Sequence, residues 1–550
     1  MAYLLWQYLT DSTNRFPSAP AVTCRGEILS YQDLHDQSTR FANMLAVEGI
    51  GRGCRVGLYM TKSVYSVVAM LGILKAGAAY VPVDPNAPPR RAAFILSDCA
   101  VTGLVSTTRA IVGLREFATE LKQVNTVILA EEQPGFLSWG LGARIHHWGA
   151  LAHADSKRLL AAPGVESDPA YLLYTSGSTG KPKGVIISHR NAITFVEWGA
   201  ATFAVSPEDR LSNHAPLHFD LSVFDIYAAL RCGACVVMVP EEVTLFPIEL
   251  AGWIDAERIT IWYSVPSALV RLLLHGQPER FGYQALRCLL FAGEVFPAKH
   301  LQKLIAMLPH VAFYNLYGPT ETNVCSFYRI PQTSVETVSD IPIGQACANT
   351  EVFAVNEEDR LIRPGEVGEL LVRGPSVMLG YWGLPEKTAQ AMVTNPLQFA
   401  YHERVYRTGD YVRLRHDGHY DFLGRKDHMV KSRGYRIELG EIEVTLYQHA
   451  KVREAVALAL PDEEIGARLV AVVVCYQDQE VSSKDLGEFC RSRLPNYMVP
   501  EEFVFRDELP QTSTGKTDRL ALRDEVQRSR AGGQLDTELV THVPSEHVCG

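Results

Sequence analysis

The sequence feature that most constrains the fold is an eleven-residue loop from Tyr174 to Gly184, rich in glycine, serine, threonine and lysine. The runs on either side, 170–173 and 185–189, are predicted to be β-strands, so the loop joins two strands. Glycines let the backbone approach an anion closely, hydroxyl and N–H groups donate to its oxygens, and lysines supply positive charge. The stretch therefore predicts a polyphosphate-binding loop.

This loop is not a Walker A loop, because Pro182 follows Gly180-Lys181 and Gly177 lies only three residues before Gly180. The structural alternative is a flexible Gly/Ser surface turn. The loop resembles the phosphate loop of the adenylate-forming superfamily, which comprises acyl-CoA synthetases, luciferases and the adenylation domains of nonribosomal peptide synthetases. The resemblance implies an ATP site formed here by Thr175, Ser176, Gly177, Ser178, Thr179, Gly180 and Lys183. It also implies that Thr175 and Lys183 are catalytic.

The composition is that of a soluble globular protein, with 47% hydrophobic and 21% charged residues and a net charge of −10. The chain has no basic block, which argues against nucleic acid or an anionic membrane as a partner. Neither a signal peptide nor a transmembrane run is predicted. Eleven scattered cysteines favour reduced thiols in the cytoplasm, and Cys232 and Cys235 are predicted to be core residues flanking a turn rather than metal ligands.

Strand–helix alternation before residue 350 predicts an α/β fold with parallel sheets. Short strands after 350 predict a small β-barrel-like subdomain, and a compact α+β unit follows from about 428. The resemblance implies a large N-terminal adenylation core at 1–426 and a small mobile C-terminal domain at 427–526. It also implies a hinge near Asp427 and an active site between the domains. Residues 527–550 are predicted to form a disordered tail.

A second loop, Asn315 to Thr322, follows a predicted strand and comes in the order that the superfamily has. Taken alone, it is also compatible with an ordinary turn at Gly318-Pro319. The resemblance implies that Asn315, Tyr317, Gly318 and Thr320 bind ATP, with the tyrosine stacking on the base. Glu321 is predicted to be a catalytic residue that holds Mg²⁺, which proteins usually bind through one or two carboxylates plus phosphate oxygens.

Four further stretches resemble superfamily motifs. Asp410 matches the aspartate that binds both ribose hydroxyls, and Arg425 is predicted to contact ribose or phosphate. The loop with Lys431, Gly434 and Arg436 resembles the one that lines the thioester-forming site, although its composition alone favours a solvated charge run. Lys516 resembles the adenylation lysine, whose charge stabilises the phosphoryl oxygens during attack and meets the substrate carboxylate.

The amino-acid pocket is predicted from a stretch around Asp220, which resembles the aspartate that pairs with a substrate α-ammonium. A helix cap or a surface position is the structural alternative. A buried carboxylate needs a counter-charge, and acyl or aryl acids supply none. The other predicted wall positions are uncharged, namely Leu221, Phe224, Tyr263, Leu290, Ala292, Leu316, Val324 and Cys325.

The ordered pocket set, closed by Lys516, resembles discrete L-proline-activating enzymes that load a carrier protein for pyrrole formation. Packing alone also admits alanine, valine or pipecolate, because one methylene discriminates by only about 1–3 kcal/mol. With 34 residues after Lys516, we expect the phosphopantetheine thiol to come from a separate carrier protein. The alternatives are an acyl- or aryl-CoA ligase on the same fold and a nucleotide-binding protein without turnover.

Overall fold

A computed structural model describes residues 2–130, 142–160, 164–177, 181–331, 341–426, 429–476, 479, 481–510, 517–531 and 540–542. The chain divides into two compact units. The first comprises Met1–Pro85, Ala92–Thr175 and Gly184–Lys426. The second comprises Asn86–Arg91, Ser176–Lys183 and Asp427–Gly550.

The strands are, in chain order, β1 (Pro20–Cys24), β2 (Glu27–Ser30), β3 (Arg55–Tyr59), β4 (Ala79–Pro82), β5 (Gly103–Ser106), β6 (Thr126–Leu129), β7 (Arg144–His147), β8 (Pro169–Thr175), β9 (Lys183–Ser188), β10 (Arg210–Asn213), β11 (Cys235–Met238), β12 (Ile261–Ser264), β13 (Cys288–Ala292), β14 (Ala312–Tyr317), β15 (Ser326–Arg329), β16 (Gln345–Ala346), β17 (Glu351–Val355), β18 (Val367–Arg373), β19 (Gly380–Tyr381), β20 (Met392–Thr394), β21 (Arg404–Leu414), β22 (Tyr420–Arg425), β23 (Met429–Ser432), β24 (Tyr435–Glu438), β25 (Val452–Asp462), β26 (Gly466–Cys475), β27 (Glu502–Phe505) and β28 (Val540–His542).

The α-helices are α1 (Gln7–Arg15), α2 (Tyr31–Val47), α3 (Val64–Lys75), α4 (Pro89–Asp98), α5 (Thr108–Val112), α6 (His189–Thr202), α7 (Leu221–Cys232), α8 (Glu241–Leu245), α9 (Pro247–Ala256), α10 (Pro266–His275), α11 (Ala298–Met307), α12 (Pro385–Ala391), α13 (Leu439–Tyr447), α14 (Ser483–Arg491) and α15 (Arg519–Ala531). Serines cap several of them. Ser30, Ser63 and Ser188 each form a capping box at the start of α2, α3 and α6.

Two mainly parallel sheets form the first unit, which confirms the predicted α/β class. One has the strand order β19-β9-β8-β4-β3-β5-β6-β7, and the other has β16-β15-β14-β13-β12-β10-β11-β1-β2. Their central strands are fully buried, as expected for strands covered by helices on both faces. The predicted phosphate loop begins within the last two residues of β8, and the second predicted loop begins within the last three residues of β14, so both lie at the carboxyl ends of strands.

Strands β17, β18, β21, β20 and β22 form a third, antiparallel sheet at the place where the sequence predicts a barrel-like subdomain. Its pairings within the described residues follow an open path rather than a closed barrel. Its longest strand, β21, carries Asp410 opposite Arg425 of β22.

The second unit contains the hairpin β23-β24 and the sheet β25-β26-β27-β28, with α13, α14 and α15. The tail differs from the sequence prediction. Helix α15 continues to Ala531, and β28 pairs with β27. These two segments have regular secondary structure, whereas the sequence predicts disorder for 527–550. The helix has good formers from Leu520 onwards, and β28 gains its order from strand pairing, which local composition does not reveal.

No helix in the described ranges is both long and apolar enough to cross a membrane. The two cysteines of the C-x-x-C stretch are buried and free. Cys232 ends α7 and Cys235 begins β11, with the left-handed Gly233 (φ +83°) between them. This confirms the prediction of two core cysteines flanking a turn.

Candidate active site

The phosphate loop begins at Thr175, the last residue of β8. The Thr175 Oγ1 atom is buried and has no hydrogen-bond partner among the described residues. A buried hydroxyl without a partner is costly in free energy, so a ligand oxygen at this position would stabilise it. The fit supports a phosphate group here.

Gly177 shows why this loop needs glycine. A Cβ atom on Gly177 would lie 2.1 Å from the carbonyl oxygen of Lys181, closer than any side chain can approach. The Lys181 carbonyl therefore leaves no room for a side chain at Gly177. Within the second unit, the Ser176 hydroxyl donates to the carbonyl oxygen of Arg436 at 2.7 Å. Ser178, Thr179 and Gly180 lie outside the described residues.

The loop after β14 closes equally tightly. A Cβ atom on Gly318 would lie 1.8 Å from the carbonyl oxygen of Asn323, which itself has a left-handed backbone (φ +53°). Asparagine tolerates that conformation better than most residues. Because the chain folds back here, the Cys325 N–H donates a hydrogen bond to the backbone carbonyl oxygen of Tyr317 at 2.9 Å. The same loop therefore contains the predicted ATP-binding stretch and leads directly into two predicted pocket positions, Val324 and Cys325.

Glu321 is fully buried at the tip of this loop. Its Oε1 atom accepts a hydrogen bond from the Tyr381 hydroxyl at 2.7 Å, and its backbone carbonyl accepts one from the Met378 N–H at 2.8 Å. Sequence reasoning missed Tyr381, which lies 60 residues further along the chain. Nothing in the local sequence signals this partner.

A magnesium ion that takes most of its ligands from phosphates needs only one or two carboxylates from the protein. Within the described residues, no group of three or more His, Cys, Asp or Glu side chains is placed to hold a metal ion. Mg²⁺ commonly binds nucleotide sites through one or two carboxylates plus phosphate oxygens and waters. A single buried carboxylate is consistent with that mode.

Asp410 is buried in β21 and has two charged or polar partners. The Tyr317 hydroxyl donates to Oδ2, and the Arg425 guanidinium donates to Oδ1 at 2.6 Å. Burial, with Asp410 adding to it, raises the pKa of Tyr317 well above its usual value, so the phenol stays protonated. The structure thus brings together three predicted ATP-site residues, Asp410, Arg425 and Tyr317.

The Tyr317 ring lies 6.3 Å from Phe422. Asn315 and Thr320 flank this group: Asn315 Nδ2 donates to the Pro342 carbonyl at 2.8 Å, and Thr320 is half-buried. Base stacking by Tyr317 stays a prediction.

Four of the predicted pocket residues lie on one face of the second sheet. Tyr263 of β12 is paired in register with Leu290 of β13, and Ala292 of β13 is paired with Leu316 of β14. Since Leu290 and Ala292 are two residues apart, all four side chains point to the same face.

Two more pocket residues come from the first turn of α7. Leu221 and Phe224 are three residues apart on the helix and therefore share a face. The Phe224 ring meets the Tyr263 ring edge-on, with centroids 6.0 Å apart. These residues, together with Val324 and Cys325, belong to one buried apolar cluster with the four sheet positions. The strand register and the Phe224–Tyr263 contact bring five of the eight uncharged positions together, while Leu221, Val324 and Cys325 are buried in the same large cluster.

Asp220 immediately precedes α7 and is half-buried. Its side chain makes no capping hydrogen bond to the helix, which removes the main structural alternative for this residue. Burial raises the pKa of the Tyr263 phenol well above its usual value, and the nearby Asp220 carboxylate adds to that rise. The negative charge thus lies beside the apolar wall.

A buried polar network behind the pocket was missed by sequence reasoning. The Lys62 ammonium donates to the carbonyl oxygens of Asn213 (3.0 Å) and His214 (2.9 Å), and Asn213 Nδ2 donates to Asp225 Oδ2 at 3.2 Å. Burial lowers the pKa of Lys62 to about 8 and raises that of Asp225 well above its usual range. Asp225 follows Phe224, so this network anchors the helix that carries the pocket residue.

The predicted thioester-step residues lie on a two-stranded hairpin. Lys431 of β23 is paired in register with Arg436 of β24, so their side chains share a face. Arg433 (φ +53°) and Gly434 (φ +79°) form the turn, and two consecutive left-handed residues are typical of a type I′ hairpin. Gly434 is therefore required by the turn itself. Asp427 and Lys516 lie outside the described residues.

Comparison with protein families gives two matches. Residues 9–382 match the model of the AMP-binding enzyme family, and residues 441–516 match that of the AMP-binding enzyme C-terminal domain. These ranges contain the phosphate loop, the loop with Glu321 and the predicted pocket residues.

Two curated relatives match over nearly their whole length. An L-proline--[L-prolyl-carrier protein] ligase of Pseudomonas fluorescens is 41% identical over 528 residues, which cover 95% of this chain and 99% of the relative. A protein with the same description from Streptomyces coelicolor is 36% identical over 511 residues, covering 92% of this chain and 94% of the relative.

Solved structures agree with the fold. The crystal structure of IdnL1 is similar with a TM-score of 0.78 and 29% identity, covering 93% of this chain and 99% of that one. The amide bond synthetase McbA from Marinactinospora thermotolerans has a TM-score of 0.80 at 23% identity, covers 95% of this chain and 99% of its own, and shows the fold alone. With a family match over most of its length and full-length relatives above 30% identity, the chain belongs to the AMP-binding enzyme family.

Proposed function

We propose that this enzyme activates L-proline with ATP as prolyl-AMP and then transfers the prolyl group to the phosphopantetheine thiol of a separate carrier protein, in natural-product biosynthesis. The observation that supports the proposal is the carboxylate of Asp220 beside Tyr263, where the other predicted pocket positions of the first unit are all uncharged and buried. The ligases from Pseudomonas fluorescens and Streptomyces coelicolor, whose descriptions name L-proline and its carrier protein, support the same substrate.

The first step uses the pocket to orient the amino acid. Asp220 accepts hydrogen bonds from the cationic imino group, and the apolar wall excludes water and charged side chains. Lys516 meets the substrate carboxylate, one oxygen of which attacks the α-phosphorus of ATP. The bond from that phosphorus to the bridging oxygen breaks, and pyrophosphate leaves.

Charge builds up on the phosphoryl oxygens during this attack, and the chain supplies groups of opposite polarity. Thr175 and the rest of the phosphate loop donate hydrogen bonds, while Lys183 and Lys516 supply positive charge. Asp410 holds the ribose hydroxyls, with Arg425 fixing its carboxylate. Mg²⁺, held by Glu321, would neutralise charge on the phosphates.

The second step requires a different set of residues. We assign residues 1–426 to the adenylation core and 427–526 to a C-terminal domain that turns about Asp427. This motion withdraws Lys516 and presents the hairpin with Lys431, Gly434 and Arg436. The carrier thiol, losing its proton, attacks the prolyl carbonyl, and the bond to the phosphate oxygen breaks to release AMP.

We infer that the protein works in the cytoplasm, because every cysteine in the described ranges is free. Reduced thiols are the usual state of cysteines in that compartment.

The test is amino-acid-dependent ATP–pyrophosphate exchange with the proteinogenic amino acids, pipecolate, β-alanine and benzoate. Exchange with L-proline alone is expected. Exchange with another small amino acid would retain the enzyme class but refute the pocket assignment. No exchange from folded protein that still binds ATP would favour the nucleotide-binding alternative.

The variants Asp220→Ala and Asp220→Asn separate amino-acid activation from acyl or aryl activation. Loss of the ammonium's counter-charge should lower kcat/KM for L-proline by at least about 100-fold. A ligase for acids without an amine would keep its activity in both variants, which would refute the proposal. An unchanged midpoint of thermal unfolding would show that the fold survives the substitution.

A further inference from the structure

We propose that Gly199, which is outside the predicted pocket positions, is a positioning residue that sets the size of the amino-acid pocket by fixing where the Phe224 ring lies. The proposal rests on the proposed function, because it names a determinant of specificity for the same pocket. Gly199 is in the third turn of α6, one helix away from the pocket wall.

Helix α6 has a notch, a gap between two aromatic side chains where a glycine lies. Phe195, Gly199 and Phe203 recur at intervals of four residues, so they lie along one side of the helix and its end. The Phe224 ring lies 6.3 Å from the Phe195 ring and 5.5 Å from the Phe203 ring, measured between centroids. The glycine between these two aromatic residues leaves the space that the Phe224 ring occupies.

The contact at the bottom of the notch is tight. A Cβ atom on Gly199 would lie 2.8 Å from Cε2 and 2.9 Å from Cδ2 of Phe224. Carbon atoms that are not bonded prefer separations of about 3.5–4.0 Å. An alanine at this position therefore requires the ring to move by several tenths of an ångström or more.

The walls of the notch are held in place by other rings. Phe203 packs edge-on against Tyr314 with centroids 5.0 Å apart, and Trp198 lies 5.5 Å from Phe203 and 5.3 Å from Phe327. Protein interiors packed this closely deform little, so the aromatic rings around the notch stay in place. The Phe224 ring can then move only away from α6.

Movement away from α6 takes the Phe224 ring toward the pocket. Among the described residues, the ring also contacts Tyr263, another predicted pocket residue, at 6.0 Å and nearly perpendicular. A methyl group at position 199 would thus narrow the cavity without altering any residue that lines it. Glycine is a poorer helix former than alanine, and here its missing Cβ leaves space for the Phe224 ring beside the predicted pocket.

The experiment compares wild-type protein with Gly199→Ala, Phe224→Leu and the double variant. Exchange kinetics are measured with L-alanine, L-proline and pipecolate, which increase in size. In Gly199→Ala, the ratio of kcat/KM for proline to that for alanine should fall about tenfold, mainly through a higher KM for proline. In the double variant, the shorter leucine makes room for the methyl group, and the ratio should recover toward that of Phe224→Leu alone.

Gly72→Ala is the matched control. Gly72 is also a helical glycine, and its Cβ would lie 2.6 Å from the ring of Phe41, which is not a pocket position. Both alanine variants should lower the midpoint of thermal unfolding, but only Gly199→Ala should change the ratio between substrates. Equal, uniform losses of activity in both variants would show a structural role alone and overturn the proposal.

The midpoints of thermal unfolding of the wild type, Gly199→Ala, Phe224→Leu and the double variant form a double-mutant cycle that needs no substrate. Coupling between positions 199 and 224 is expected, and additive midpoint shifts would overturn the proposal whatever the wild-type substrate is. If the wild type activates another amino acid, the proposed substrate is wrong, and the selectivity ratio for that amino acid decides the role of Gly199. If the wild type activates no amino acid, the proposed function and this inference are both wrong.

Discussion

At the residue scale, Glu321, the predicted catalytic carboxylate, is held by the hydroxyl group of Tyr381, a residue 60 positions further along the chain. The Tyr381 hydroxyl donates to a carboxylate that has no exposure to solvent. A hydrogen bond to a charged group contributes about 1.5–3 kcal/mol. Tyr381 thus limits the positions that the Glu321 side chain can adopt.

Substitution of Glu321 should therefore have a larger effect than substitution of its partner. We expect Glu321→Gln to lower kcat of pyrophosphate exchange by about 100-fold or more, since a charged group is lost where phosphate charge is neutralised. Tyr381→Phe should cost about tenfold, because only the orienting hydrogen bond is removed. Exchange rates measured over a range of Mg²⁺ concentrations would check both values. Equal losses in the two variants would contradict direct metal binding by Glu321.

At the element scale, the loop after β14 is formed by close backbone approach rather than by side-chain packing. Gly318 faces the carbonyl of Asn323 at a distance that leaves no space for a side chain. Glu321 within this turn is buried, and so are Val324 and Cys325, the predicted pocket residues that follow it. A single substitution should disturb both ATP and amino-acid binding.

We expect Gly318→Ala to destabilise the protein by about 1–3 kcal/mol and to raise KM for both substrates. Gly282→Ala is the control, because its Cβ would meet only the Gln284 side chain, at 3.6 Å. Urea unfolding and exchange kinetics would check this. Normal KM values in Gly318→Ala would show that the loop rearranges without cost.

At the scale of the whole molecule, buried imidazoles make the free energy of unfolding depend on pH. His189 is buried at the start of α6, where its Nδ1 accepts a hydrogen bond from the Leu5 N–H at 3.1 Å. Burial lowers its pKa to about 4, and burial lowers that of His214 to about 3. Below pH 6.5 the unfolded chain binds protons that the folded chain excludes, so these groups lower stability as pH falls toward 4.

The variant His189→Asn should show this effect. The amide oxygen can still accept from Leu5 but does not titrate. Relative to this variant, the wild type should lose up to about 3 kcal/mol of stability between pH 6.5 and pH 4. The difference isolates His189 from Asp225, whose raised pKa acts in the opposite direction. Parallel urea midpoints for the two proteins across this range would contradict a neutral buried His189.

The proposed domain motion is tested by restricting its hinge. Asp427→Pro fixes one backbone angle and restricts the residue before it. Exchange with L-proline should stay within about threefold of the wild type, while loading of a carrier protein should fall by an order of magnitude or more. Exchange and loading reduced in the same proportion would contradict a hinge at this position.

Most of the elements were predictable because they depend on neighbours in the chain. The strands predicted on either side of the phosphate loop, at 170–173 and 185–189, correspond to β8 and β9, and serines cap α2, α3 and α6. Hydrophobic period, capping and turn residues act over a few positions, so a single sequence contains them. The order of the phosphate loop, the Glu321 loop and the Asp410 strand is similarly fixed along the chain.

The sequence by itself determined the α/β class, the positions of the binding loops and the chemical types of the pocket residues. Only the tertiary structure decided that Tyr263, Leu290, Ala292 and Leu316 share one face, since that depends on the register of three strands. It also decided that Tyr381 holds Glu321 and that Phe224 occupies the notch at Gly199. These contacts join distant segments, and their geometry is set by packing of the whole core rather than by any local pattern.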